Sequence, residues 1–189
     1  FVLREETFMS NCYTRQQIYL LNQLRLLWSQ HAYWTRFFII STASDLPDLP
    51  IVTGRLLQNP KDFAGLLATF YGTCSARELQ NLLTEHLKIG GDLVTASKNK
   101  EKDKAAQLKR QWYENAQEIA CFLAEINPCW DKCKWETMLK SLLDMSEKEA
   151  SLRLSGNYAA DTEIFGDIES EAMIMADYMF YGIIQQFFC

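Results

Sequence analysis

The sequence predicts an all-α single domain, an antiparallel bundle of four long helices with short connecting helices. Three observations carry that prediction. The 189 residues include only 8 Gly and 4 Pro, about half the usual share, which argues against a many-stranded sandwich or a doubly wound sheet. Long stretches lack both breakers, and their apolar residues recur at helical spacing. A hydrophobic fraction of 48% excludes a disordered chain, while no run reaches the roughly 18 apolar residues of a membrane span. A chain of this size buries its own core without disulfide or metal staples.

The first helix is expected from about Thr14 to Ser44, with Leu20, Leu24, Leu27, Trp28, Trp34 and Phe38 as its apolar stripe. The prolines at 47 and 50 stop it, because each biases its predecessor away from the α region. A short helix follows over Ile51 to Leu57. Asn59-Pro60-Lys61-Asp62 reads as an N-cap with Pro at the first helical position, opening a helix that stops near Gly72. Ser75-Ala76-Arg77-Glu78 has the capping-box pattern and opens a helix to about Ser97. The next runs from about Lys104 to Ile126 and ends at Asn127-Pro128. A short helix is expected from about Lys134 to Asp144. Ser146-Glu147-Lys148-Glu149, a second capping-box pattern, then opens the last helix, bent near Gly156 or Gly166. Its seam is Leu154, Tyr158, Asp161, Phe165, Ile168, Ala172 and Met175. Residues 1–13 are expected to form a loosely attached N-terminal segment of the same domain.

Net charge is −5, from 19 basic and 24 acidic residues, which gives no global footprint for nucleic acid. The lysine-rich junction at 98–104 has no aromatic interleaved before Trp112, so it reads as a solvated helix start. Six cysteines at 12, 74, 121, 129, 133 and 189 are too sparse for a disulfide scaffold. Cys129 and Cys133 form a C-x3-C, but no second pair matches it as a zinc site requires. Free thiols point to a reducing, cytoplasmic compartment. The start at Phe1 leaves export open if a leader was removed.

In a helical bundle the informative residues are polar ones inside apolar stripes. His31 follows Leu24 and Leu27 at i+7 and i+4, and His86 lies among Leu79, Leu82, Leu83, Ile89 and Leu93. Asn115 falls between Trp112 and Ile119, and Asp161 between Tyr158 and Phe165. All four are expected to face inward and to meet near one level. A buried carboxylate requires a partner or a cation. The cluster therefore reads in three ways: a hydrogen-bonded network that sets helix register, one divalent metal ion held by His31, His86 and Asp161, or the contacts of a small polar ligand. Glu85, Asp92 and Glu169 lie near these stripes as outer partners or solvated residues. Bis-histidine ligation of a non-covalent haem is a minor variant of the ligand reading, since no C-x-x-C-H is present. There is no Glu-x-x-His for a di-iron site. No phosphate-binding, nucleotide-binding, hydrolase or zinc-protease motif is present either. The tail from Phe180 to Phe188 is apolar nearly all round. It packs under the bundle end or makes a homodimer contact.

Several short motifs occur in one order: Leu27-Trp28-Ser29-Gln30-His31-Ala32-Tyr33-Trp34-Thr35-Arg36, Leu46-Pro47-Asp48, Arg55-Leu56-Leu57-Gln58-Asn59, Phe70-Tyr71-Gly72, Glu85-His86-Leu87, Trp112-Tyr113-Glu114-Asn115-Ala116 and Ala176-Asp177-Tyr178-Met179. In that order they resemble a family of small bacterial helical-bundle proteins of uncharacterised activity. The resemblance spans about Leu24 to Phe187. Some members of that family carry an acetylglutamate kinase label, which does not fit this chain: such kinases are larger α/β proteins with glycine-rich phosphate loops. The resemblance also implies histidines in relatives where this chain has Leu142 and Glu169. Two functional classes follow. One is a binding protein, or an enzyme without a recognisable motif, built on the inward cluster. The other is an interaction module in which the cluster only sets register.

Overall fold

The computed structural model describes residues 13–188. The expected N-terminal segment, Cys12 and Cys189 fall outside that range except for Tyr13, whose ring meets Phe180 edge-on at 5.3 Å. The described residues form an all-α bundle without strands. Its elements are α1 (Arg15–Ala43), α2 (Leu49–Leu56), α3 (Asn59–Lys98), α4 (Lys102–Ile126), α5 (Lys132–Leu154) and α6 (Tyr158–Phe187). None is long and apolar enough to cross a membrane.

Helix α1 begins where its cap dictates. The Thr14 side chain accepts from Gln17 N, and the Gln17 side chain accepts from Thr14 N, so two orphan amides of the first turn are satisfied. Its inner face buries Leu20, Leu24, Leu27, Trp28, His31, Ala32 and Ile39, while Trp34 and Phe38 are only half-buried. Helix α2 starts two residues earlier than expected because Pro50 fits its first turn, where no amide bond is lost.

Gly72 divides α3. Its φ of 75° and ψ of 169° leave the helical region, a conformation that glycine adopts without steric cost. The two arms run in opposite senses. Asn59 starts the first arm beside His31, and Phe70 near its end meets Phe187 at 5.5 Å. The second arm climbs back until Lys98 donates to the Thr42 carbonyl at 2.7 Å. The expected stop near Gly72 is therefore a helical hairpin. Two expected caps are absent. Ser75 makes no capping bond, and Gln58 rather than Asn59 stands at the N-cap, without a side-chain bond. Asn59 is instead fully buried.

The second half departs from the expected boundaries. Helix α5 continues through Ser146 to Leu154, and Ser146 and Glu149 lie on its buried face. The capping pattern there loses to a continuous inward stripe of Leu139, Leu142, Leu143 and Ala150. The break comes at Gly156, with φ of 79°, and Asn157 caps α6 by accepting from Ala160 N. Gly166 lies inside α6. The seam of α6 passes through Ile164, not Phe165, and Tyr158 is exposed.

The tail packs within the chain. Phe180, Ile183 and Ile184 are buried, whereas Tyr181, Phe187 and Phe188 are about half exposed. Gly182 lies against the fully buried Trp130 indole, which meets Trp135 edge-on at 5.9 Å. Cys74, Cys121, Cys129 and Cys133 are free thiols.

Candidate functional site

His31, His86, Asn115 and Asp161 are all buried, as their stripes predict, but they do not form one cluster. They divide into two histidine–asparagine pairs and one ion network.

His86 Nδ1 lies 2.8 Å from Asn115 Oδ1, and His31 Nδ1 lies 3.2 Å from Asn59 Oδ1. The asparagine amides fix the direction of both bonds. Asn59 Nδ2 donates to the Leu27 carbonyl at 2.9 Å, and Asn115 Nδ2 donates to the Leu82 carbonyl at 3.3 Å. Each Oδ1 therefore accepts, and each histidine donates from Nδ1–H. A neutral ring with its proton on Nδ1 leaves a lone pair on Nε2. Neither Nε2 has a hydrogen-bond partner among the described residues.

Both rings are neutral for a physical reason. Burial pushes His31 below the ordinary imidazole range, against the pull of its Asn59 bond. Burial, and then the repulsion of a charged His31, push His86 down to about 3, against its Asn115 bond.

Both line a cavity of about 610 Å³ between α1, the second arm of α3 and α5. Its walls include Ile39, Leu87, Val94, Leu142 and Ala150, together with Trp112 of α4 and Ile168 of α6. Two more polar atoms belong to lining residues and lack partners: Thr35 Oγ1 and Trp112 Nε1, both buried.

Asp161 belongs elsewhere. Arg36 Nη1 donates to Glu149 Oε1 at 2.6 Å and to Asp161 Oδ1 at 2.9 Å, and Arg153 Nη1 donates to Asp161 Oδ2 at 3.2 Å. The Arg36 guanidinium also stacks 4.5 Å over the Phe165 ring. Two cations thus answer the buried carboxylate that the sequence assigned to histidine or metal. Among the described residues no group of three His, Cys, Asp or Glu is placed to hold a metal ion. Glu149 joins this network to the cavity, which it also lines. Burial pushes its carboxyl up to about 7, against the opposing pull of Arg36.

The expected outer partners fall away. Glu85 and Asp92 are exposed, and Glu169 accepts from Tyr33 Oη at 2.8 Å. Leu142 lines the cavity with both histidines. Sequence reasoning missed Asn59, Arg36, Glu149 and Arg153. A signal existed for Glu149 and Arg153, which stand at i and i+4, with Glu149 continuing the stripe of Leu139, Leu142 and Ser146. Asn59 carried a misleading one, because Asn before Pro is the pattern of a cap.

No family model, curated protein or solved structure matches the chain. Its function rests on this geometry alone.

Proposed function

We propose that the protein binds a small, largely apolar molecule in the cavity between α1, the second arm of α3 and α5, with His31 and His86 as its inner polar contacts. One observation carries this reading. Two buried neutral imidazoles are each held through Nδ1 by an asparagine, and each keeps Nε2 unpartnered at one cavity. A network that only set register would satisfy both ring nitrogens. Apolar walls with a few convergent polar groups are the usual make-up of a ligand site. The Arg36–Glu149–Asp161–Arg153 network braces α1, α5 and α6 around it. In the metal variant of the reading, an ion would take the same two Nε2 atoms, with the asparagines as the outer partners that orient such ligands.

The test uses N-phenyl-1-naphthylamine, a neutral apolar amine whose emission rises in apolar surroundings. Saturable one-to-one binding is expected, and Val94→Trp, which fills the cavity wall, should abolish it in a protein of unchanged helicity. Absence of saturable binding, or binding indifferent to Val94→Trp, overturns the reading. Elemental analysis of protein purified without a metal-binding tag separates the variants. Stoichiometric metal that is lost in His31→Leu replaces the organic ligand by an ion.

A further inference from the structure

We infer that the ligand is slender and chain-like, an unbranched apolar molecule with a neutral hydroxyl at one end, and that it enters hydroxyl first. This rests on the ligand-binding reading above.

The shape comes from the helices. The cavity follows α1 from His31 to Ala43, α3 from His86 to Lys98 and α5 from Leu142 to Leu154. Each span is twelve residues on, a rise of about 18 Å. The three segments rise together: His31, His86 and Leu142 line one end, Ile39, Val94 and Ala150 pack together eight residues further on, and Lys98 reaches Thr42 at the other end. A volume of about 610 Å³ spread over about 18 Å leaves a mean cross-section of about 34 Å². That admits an extended hydrocarbon chain or one ring edge-on. The exposed lining residues Ser97, Lys100, Ser151 and Ser155 all lie at the Lys98 end. The mouth is therefore there, and the histidines form the blind end.

The chemistry comes from that blind end. It offers two acceptors, His31 Nε2 and His86 Nε2, whereas the unpartnered Trp112 Nε1–H and Thr35 hydroxyl are shut off from the cavity space. A hydroxyl serves this end, because it donates its one proton to either imidazole and carries no charge. A carboxylate has nothing to donate to the imidazoles. It also finds no cation at that end, since the lysines that line the cavity, Lys98 and Lys100, stand at the mouth. An ammonium would lose its water shell against neutral acceptors, a costly exchange in an apolar site. Between the ends, Ile39, Leu87, Val94 and Ala150 supply an apolar wall, with Ser146 and the Arg36-bound Glu149 of α5 beside it.

The experiment is displacement of N-phenyl-1-naphthylamine at neutral pH by four probes: 1-decanol, methyl nonyl ether, decanoate and cyclodecanol. The ether has nearly the length of decanol without the donor. Cyclodecanol has the donor without the slender shape. Decanol is expected to compete at least tenfold better than each of the other three. In His31→Leu and His86→Leu the advantage over the ether should shrink towards one. Equal competition by alcohol and ether removes the hydroxyl from the inference, preference for decanoate reverses its charge, and preference for cyclodecanol removes the chain shape. Each overturns this inference while the binding reading stands, whereas failure of the fluorescent probe to bind overturns the binding reading itself. Should the leucine variants not fold, the four probes on the unaltered protein decide alone.

Discussion

His86 Nδ1 sits 2.8 Å from Asn115 Oδ1, and the amide nitrogen of Asn115 is engaged by the Leu82 carbonyl, so the histidine donates. Removing one member of this buried pair strands the other. Asn115→Leu should cost about 1–3 kcal/mol, the penalty of an unsatisfied buried donor. His86→Leu should cost a similar amount. The double variant should cost less than the sum, because neither partner is then stranded. Urea unfolding of the four proteins gives the coupling. Additivity within about 0.5 kcal/mol would show that the bond contributes nothing.

Arg36 and Arg25 are both arginines of α1 paired to α6, but in different surroundings. The Arg36 and Asp161 side chains are 13% and 1% exposed, whereas those of Arg25 and Asp177 are 44% and 32% exposed. Arg36→Leu leaves Glu149 and Asp161 short of a cation in a dry site, and should cost about 3–5 kcal/mol. Arg25→Leu should cost about 0–1 kcal/mol, since water and salt already screen that bidentate pair. Denaturation midpoints that rank the two variants equally would contradict the burial difference.

The pH dependence of stability has two opposed parts. Both histidines titrate below their ordinary value of 6.5 when folded, so in mild acid the unfolded chain takes up more protons. Their contribution is present above about pH 6.5 and is lost as pH falls. Glu149 behaves in the opposite way. Its folded carboxyl titrates at about 7 against an ordinary 4.5, so its contribution is present below about pH 4.5 and is lost as pH rises to about 7. Two histidines outweigh one glutamate, and stability should fall on acidification between about pH 6.5 and 4.5. Glu149→Gln removes the opposing part, so its decline in that interval should be steeper. Urea midpoints taken every half pH unit test this, and a shallower decline in the variant would reverse the assignment.

The stripes were legible because burial follows helical spacing. His31, His86, Asn115 and Asp161 could be picked out as buried without any structure. Their partners could not. Asn59 reaches His31 only because Gly72 folds α3 back on itself, and nothing local to Asn59 records that turn. Arg36 looks like a solvated arginine until α5 and α6 bring Glu149 and Asp161 to it. The capping-box pattern at Ser146 failed because the apolar face of α5 continues through it, whereas Ser75 stands where the second arm of α3 begins but makes no capping bond. Local side-chain bonds are worth about 1 kcal/mol, less than the burial of two or three leucines.

Gly182 is a packing requirement. A Cβ there would overlap the Trp130 indole, and Trp130 is 2% exposed with Trp135 and Tyr71 against it. Neither the ring nor the backbone of α6 has space to yield. Gly182→Ala gains about 1 kcal/mol of helix propensity but should still destabilise the protein, by about 1–3 kcal/mol net or more. Gly166→Ala, in the same helix with nothing within 4 Å of its Cβ, should stabilise by up to about 1 kcal/mol. Thermal unfolding of the two variants should move in opposite directions.

Leu142 offers a direct test of what the two free Nε2 atoms can do. It lines the cavity with His31 and His86, and no third ligand of metal-binding type joins them among the described residues. Leu142→His would add a third imidazole to that wall. Three histidines with an open fourth position are a common zinc arrangement. Binding to the folded state alone stabilises it by RT ln(1 + [L]/Kd), about 2.7 kcal/mol at a hundredfold excess over Kd. The variant without metal should be less stable than the unaltered protein, because a polar ring replaces a buried leucine. Zinc should then raise its melting temperature by several degrees and leave the unaltered protein unchanged. Adding His31→Leu should cancel the rise. A zinc response already present in the unaltered protein would show that His31 and His86 suffice, and would replace the organic ligand by an ion.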